Sequence, residues 1–437
     1  MLNIRNFVNI LNSSDIGQRM AKGAIWSFTG TTAAKLFVFV SGVACAHILT
    51  KQQFGELGIV RSTISMFVVL GASGLGATAS KYISEFRATE RERIPSIYAL
   101  TSMFSLIAGA LLSLSTLILA ETICIKLLNA PNLINSVKYG AVLIFFSVLN
   151  GSQNGTLAGF EDFKSIAVNT FICSLFESSL MVLGAYYYGV EGAILGYGSG
   201  YLSLYVCNMI AINKCFNRHG LPYSLLKFSK RDLSIIFSFS LPAILSAIVV
   251  SPTFWAIRTM LVSKGGFEEL AIYEAADQCK LMILFIPTTL SNIILPILSN
   301  TAVDGNRKFW KILKANMFLN GGISFLIAIV ISVFSTIIMR VYGKAYTGGE
   351  IVLVIIALST IFTSTSNVVG IAIASKAKMW YGLMFNTIWA ILTILFCRLF
   401  LYFNLGAVGV AYSLLASYFC HFIYQIIYLK KLVRDND

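Results

Sequence analysis

The chain has 437 residues, 57% of them apolar and only 12% charged, with a mean hydropathy of +0.78 and a formal net charge of +14 at pH 7. A soluble protein carries about 25% charged residues, so this composition excludes a soluble globular fold and points to a polytopic membrane protein. No G-x-x-x-x-G-K-[ST] phosphate loop occurs, which excludes a nucleotide-driven engine within the chain.

Residues 1–22 lack the apolar run and small-residue cleavage site of a signal peptide. They are expected to be retained as a cytoplasmic or interfacial segment, with 2–12 patterned as a surface amphipathic helix. Twelve apolar runs follow, at 23–48, 58–80, 97–120, 139–159, 166–188, 192–212, 237–262, 271–298, 317–338, 351–374, 381–403 and 406–428. Each is long enough, as a helix rising about 1.5 Å per residue, to cross roughly 30 Å of hydrocarbon. Helices are required because the backbone must satisfy its own hydrogen bonds in lipid, and the runs are too long and continuous for barrel strands. The expected organisation is an N-lobe of six spans (23–212), a linker (213–236), a C-lobe of six spans (237–428) and a tail (429–437).

Basic residues orient the bundle. Twenty-two Lys and Arg fall in the segments on the side of the termini, among them Lys81, Arg87, Arg91, Arg93, Lys227, Lys230, Arg231 and Lys311, against eight on the opposite side. The positive-inside rule therefore places both termini in the cytoplasm, and the positive charge reflects topology and anionic headgroups rather than nucleic-acid binding.

The two halves repeat. Phe54-Gly55-Glu56-Leu57-Gly58-Ile59 is answered by Phe267-Glu268-Glu269-Leu270-Ala271-Ile272 at an offset of 213, Gly192-Ala193-Ile194 by Gly406-Ala407-Val408 at 214, and Asn169-Thr170 by Asn386-Thr387 at 217. An even number of spans per half makes these parallel repeats about an axis along the membrane normal, and transporters so built carry substrate between the halves near mid-membrane.

Several residue types are read blandly. The eight cysteines form no C-x-x-C pair and are expected to act as small hydrophobes. His47, His219 and His421 form no metal set. Trp255, Trp310, Trp380 and Tyr186-Tyr187-Tyr188 lie near span ends and read as interface anchors. Pro242, Pro252, Pro287 and Pro296 crowd spans 7 and 8, as static kinks or as the moving parts. The polar strings Asn150 to Thr156 and Thr363 to Asn367 read as interhelical hydrogen bonds before sugar contacts.

Charges inside spans are the chemical signal. A charge at mid-helix costs about 2.5–3.5 kcal/mol on insertion scales, so Lys35, Glu177, Arg258, Glu274, Asp277 and Lys280 should face protein or water rather than lipid. Glu274, Asp277 and Lys280 recur at i, i+3 and i+6 and form one stripe on span 8, within reach of Arg258 on span 7. Lys35, Arg258 and Lys280, with Arg61 at a cavity mouth, are candidate binders of an anionic diphosphate. The competing reading pairs Arg258 with Glu274 or Asp277 as a lock between helices. Asp277, Glu274 and Glu177 are candidate ion-coupling carboxylates, since apolar surroundings favour the protonated form.

Further strings carry a family resemblance. They are Gly23-x-x-Trp26, Phe54-Gly55, Gly74-Leu75-Gly76, Lys81-Tyr82-Ile83-Ser84-Glu85, Gly159-Phe160-Glu161-Asp162-Phe163-Lys164, Leu241-Pro242, Tyr273-x-Ala275-Ala276 and Leu295-Pro296-x-Leu298-Ser299. With the span count, they resemble the polysaccharide or O-antigen flippases of the superfamily that also holds multidrug extruders and lipid II flippases. That resemblance implies an all-α, MATE-like fold of two six-helix lobes related by pseudo-two-fold symmetry, in the bacterial inner membrane. It implies a flippase, not an enzyme, moving undecaprenyl-diphosphate-linked oligosaccharide to the periplasmic leaflet through a cavity lined by spans 1, 7 and 8. It further implies function as a monomer, no cofactor beyond a coupling H+ or Na+, and a polysaccharide polymerase and chain-length regulator as partners. An ion-coupled multidrug or small-molecule antiporter of the same superfamily is the alternative; a glycan polymerase, ligase or glycosyltransferase ranks third, because the outer segment 121–138 holds one acid, Glu121.

Overall fold

The computed structural model describes residues 15–222, 232–233, 248–301, 306–375 and 379–434. Among these residues helices are joined by short turns and no strand occurs. The amphipathic segment 2–12, Leu241-Pro242 and half of the linker 213–236 lie outside the described residues.

Spans 1 to 4 fall on α1 (Asp15–Ile48), α2 (Lys51–Thr89), α3 (Ile94–Glu121) and α4 (Ile134–Gly159). Spans 5 and 6 form one run, Phe163–Arg218, broken only at Gly189 (φ 58°, ψ −138°) into α5 (163–188) and α6 (190–218). Spans 7 and 8 likewise share Val250–Thr301, broken at Gly266 (φ 78°, ψ 179°) into α7 (250–265) and α8 (267–301). These conformations are open to glycine without a Cβ penalty, so a single residue replaces the expected loop. The rest are α9 (Asn306–Val333), a short helix (Ser335–Tyr342), α10 (Glu350–Ser375), α11 (Met379–Tyr402) and α12 (Gly406–Arg434). Gly189, Gly266, Thr50 and the 403–405 turn mark one end of the bundle, the turn end; the basic segments mark the other.

Helices outrun the apolar stretches that foretold them. The 39 residues of α2 span about 58 Å, so Lys81 to Arg87 continue the helix past the hydrocarbon. Its start is held by a capping box in which Thr50 and Gln53 satisfy each other's backbone N–H. Similarly α9 begins at Asn306, placing the basic run 307–314 on its first turns rather than in a loop. Non-helical φ/ψ inside Val250–Thr301 occurs at Gly266, so Pro287 sits within continuous helix, whereas Pro252 stands in the first turn of α7, just after the turn at 248–249 that falls inside the expected span 237–262.

Nine helical runs among the described residues are long and apolar enough to cross a bilayer. Val250–Thr301 is not among them, and it carries Arg258, Lys264, Glu268, Glu269, Glu274, Asp277 and Lys280. Large apolar side chains such as Ile118, Phe318 and Val333 stand exposed on outer faces, as lipid contact requires. The chain is thus an all-α, multi-pass membrane protein.

Packing is most extensive within α1–α6 and within α7–α12, and the two groups meet where α2 and α1 lie against the α7–α8 pair. Near the turn end the approach depends on missing side chains. A Cβ on Gly55 would fall 2.0 Å from the Phe267 carbonyl oxygen, and one on Gly58 would strike the Glu274 side chain. Around them Trp255 Nε1 donates to Thr63 Oγ1 (2.9 Å), His47 Nε2 meets the Val341 carbonyl (2.7 Å), and Phe54 packs edge-on to Tyr342 and Tyr346. Gly55→Val is expected to lower the melting temperature of the purified protein in detergent by several degrees, since overpacking costs about 1–3 kcal/mol. An unchanged melting curve would show that the two groups do not depend on this approach.

Candidate functional site

The stripe on α8 turns inward. Arg258, eight residues before the Gly266 break, sends Nε to Glu274 Oε1 (2.5 Å) and Nη2 to Asp277 Oδ2 (2.8 Å). Lys280 closes the chain on Asp277 Oδ1. Arg258, Asp277 and Lys280 are buried and Glu274 nearly so. Rings wall the network: Tyr273 lies 5.0 Å from the Arg258 guanidinium and Phe254 lies 4.8 Å from Lys280 Nζ. Two cations and two carboxylates therefore neutralise one another in the middle of the C-terminal group. The four side chains meet as the spacing foretold, and the lock between α7 and α8 engages both acids at once.

The other three candidates belong to a second cluster that no spacing linked. Lys35 on α1 and Glu177 on α5 line one cavity of about 320 Å³, with Tyr201 of α6 and Gln278 of α8 also in its wall. The cavity thus bridges the two helix groups. Lys35 Nζ rests 4.6 Å from the Phe285 ring, and no carboxylate lies within ion-pair distance of it among the described residues. Glu177 packs directly on Gly200, whose missing side chain leaves room for the carboxylate. Arg61 on α2 lies over the Tyr197 ring at 4.8 Å and within electrostatic range of both Glu177 and Glu274. It is the cation between the acid of one helix group and that of the other. Tyr197 and Tyr201 join hydroxyls at 2.6 Å beside it.

Several of these groups carry no sequence signal. Gln278 lies between Asp277 and Lys280 in the chain yet points elsewhere: it accepts from Tyr342 Oη at 3.2 Å and occupies the space a Gly42 side chain would take. Tyr197 and Tyr201 read as ordinary aromatic residues of span 6; only their i, i+4 spacing, which puts both on one helix face, could have paired them. Trp255 is not an interface anchor but a donor across the two groups, whereas Tyr186, Tyr187 and Tyr188 are exposed beside Gly189. The polar string of α4 serves interhelical bonding: Asn150 donates to the Tyr201 carbonyl, and Asn169, Asn208 and Asn154 form a ladder. Six of the cysteines are buried and all are free, as small hydrophobes would be.

The helices form a multi-pass membrane bundle with a polar seam between two packed groups. Solved structures share the fold: an inward-facing multidrug resistance MATE family transporter of the MOP superfamily superposes with a TM-score of 0.78 at 14% identity, over 94% of this chain and 99% of that one. An outward-facing multidrug resistance MATE family transporter of the MOP superfamily gives 0.68 at 15% identity over 97% of both chains. A MOP superfamily transporter from Pyrococcus furiosus, described as having a binding pocket of reverse polarity, gives 0.71 at 15% identity over 95% of both. The family described as polysaccharide biosynthesis protein matches residues 20–302. The chain belongs to that family. A curated relative, the EPS I polysaccharide export inner membrane protein EpsE of Ralstonia nicotianae, is 20% identical over 91% of both chains, and the protein of that name from Ralstonia solanacearum is 21% identical over the same shares.

Breaking one member of the central network strands its partners. Asp277→Ala should cost about 3–5 kcal/mol, because it leaves Arg258 and Lys280 short of a counter-charge in a buried setting. Asp277→Ala/Lys280→Ala together should cost less than Asp277→Ala alone. Melting curves of the purified variants in detergent measure both, and a double variant no better than the single would show that the pair is uncoupled.

Proposed function

We propose that the protein is a flippase that carries an oligosaccharide linked through a diphosphate to undecaprenol from the cytoplasmic to the periplasmic leaflet of the inner membrane. Family membership and the export role in the relatives' names support a polysaccharide cargo. The observation that carries the site is Lys35: a cation without an ion-pair partner among the described residues, in the wall of a cavity shared by both helix groups. A diphosphate held there meets positive charge at low dielectric, while its polyprenyl tail remains in lipid.

Arg258 and Lys280 enter in a second step. Their charges are engaged by Glu274 and Asp277, so they reach an anion only when those acids are neutralised. Proton uptake by Asp277, Glu274 or Glu177, or a Na+ ion held by them, is the proposed coupling event. Arg61, between Glu177 and Glu274, is the proposed relay of that charge change across the seam. The positive-inside pattern assigns the turn end to the periplasm, and the contacts of Gly55, Gly58, Thr63 and His47 close that end. This supports a cavity presented to the cytoplasm, from which cargo is loaded.

Lys35→Gln should lower surface polysaccharide at least tenfold at normal protein level and leave lipid-linked repeat units on the cytoplasmic leaflet, with Lys35→Arg retaining most of the activity. Wild-type surface glycan in Lys35→Gln would remove Lys35 from the path. Altered drug sensitivity on deletion, with surface glycan intact, would favour the small-molecule antiporter instead.

A further inference from the structure

Unlike the cavity that Trp389 and His421 line within the C-terminal helix group, the seam cavity has a wall that reaches the closed turn end. Two of its lining residues, Phe39 of α1 and Gln278 of α8, meet one side chain beyond it, Tyr342. Tyr342 ends the short helix Ser335–Tyr342, which belongs to the C-terminal group. Its ring is nevertheless lodged against the N-terminal group. Phe39 packs edge-on to it at 6.2 Å and Phe54 of α2 lies at 6.5 Å, and the residue is fully buried. One position earlier, the Val341 carbonyl takes the contact from His47. Tyr342 thus stands between the cavity and the turn end.

Gln278 is turned away from the charged stripe. Asp277 and Lys280 face the Arg258 network, and a step of about 100° around the helix carries Gln278 to the α1 side. There it fills the space a Gly42 side chain would take. The two ends of its amide have different surroundings. Oε1 accepts from Tyr342 Oη at 3.2 Å, a long bond between neutral groups. Nε2 has two N–H donors and no hydrogen-bond partner among the described residues, and it is not sealed from solvent. The residue is half-buried in the cavity wall, so those donors are open to an occupant. The Cys279 thiol also lies within reach of the Tyr342 hydroxyl, which therefore keeps a neighbour when Gln278 moves.

We propose that Gln278 donates to an oxygen of the cargo's head group and thereby lets go of Tyr342, so that loading of the cavity unlocks the turn end. The proposal rests on the flippase reading above. Lys35, in the same wall, precedes Gly42 by seven residues on α1 and so lies about 10 Å further from the turn end. A head group seated on Lys35 and extending towards the turn end brings acceptor oxygens to Gln278, from the diphosphate or from the sugar joined to it. An amide is planar, so its two ends turn together. Drawing Nε2 into the cavity withdraws Oε1 from Tyr342. A phosphate oxygen wins that exchange, because a hydrogen bond to an ionised acceptor is about twice as strong as a neutral one.

The test uses the full-length protein in nanodiscs, with undecaprenyl diphosphate and the same lipid carrying N-acetylglucosamine as probes. Binding affinity is read beside amide hydrogen exchange of residues 335–346. In wild type, saturating probe should raise exchange there about fivefold, the worth of roughly one hydrogen bond, and leave α4 unchanged. A rise with the bare lipid names the diphosphate as the trigger; a rise with the sugar-bearing lipid alone names the sugar. Tyr342→Phe keeps the ring and loses the bond, so its exchange should stand at the loaded level before probe is added, with affinity undiminished. Gln278→Glu keeps an acceptor for Tyr342 and gives up the cavity donors. Its exchange should start at the wild-type level and stay there at saturating probe. If wild type binds a probe with no change at 335–346, or if either variant responds to probe as wild type does, the link is refuted while the flippase reading stands. If wild type binds neither probe, the flippase reading falls and takes this link with it.

Discussion

An uncompensated charge is not tolerated in the apolar interior of a helix bundle, and this protein packs four charged side chains together between α7 and α8. Arg258 bridges Glu274 and Asp277, and Asp277 in turn holds Lys280. Each ion's desolvation is offset only because a partner stands within bonding distance, so the four must move, fold and fail as a unit. Much of the neighbouring geometry follows from that requirement. α7 and α8 must stay adjacent on both sides of the Gly266 break. Gly58 must lack a side chain so that Glu274 can lean towards α2.

Charge neutrality also defines the network between α7 and α8. A closed network of two cations and two anions exposes little net charge, but altering one acid changes the account for the other three. Arg61 lies within electrostatic range of Glu177 on its own side and of Glu274 across the seam, so it stands between the acids of the two helix groups. Close glycine contacts near the turn end let the two groups pack backbone to backbone.

The C-terminal cavity differs from the seam in kind. The seam handles charge, with aromatic rings serving as walls for cations. The cavity around Trp389 and His421 has no Lys, Arg, Asp or Glu among its lining residues, which include Ser366, Asn367, Asn386 and Gln425. The Phe254 ring, packed on Trp389 on one side and Lys280 on the other, is the partition between the two environments.

Hydropathy along the chain was enough to place the long apolar helices, because lipid thickness imposes a length on every apolar run and forbids any backbone but helix. Helical periodicity likewise put Glu274, Asp277 and Lys280 on one face, since three-residue steps are a local property. Arg258 could be added because its span adjoins theirs. Lys35, Arg61 and Glu177 were visible as costly charges, but their companionship was not: they come from α1, α2 and α5, and no spacing in the chain encodes which helices share a wall. The same holds for Trp255 and Trp389, alike in composition and span position, one bridging two helix groups and the other lining a cavity. Local pattern reports what a residue must avoid; which partner it finds depends on packing between segments hundreds of residues apart, and that appears only when the helices are assembled.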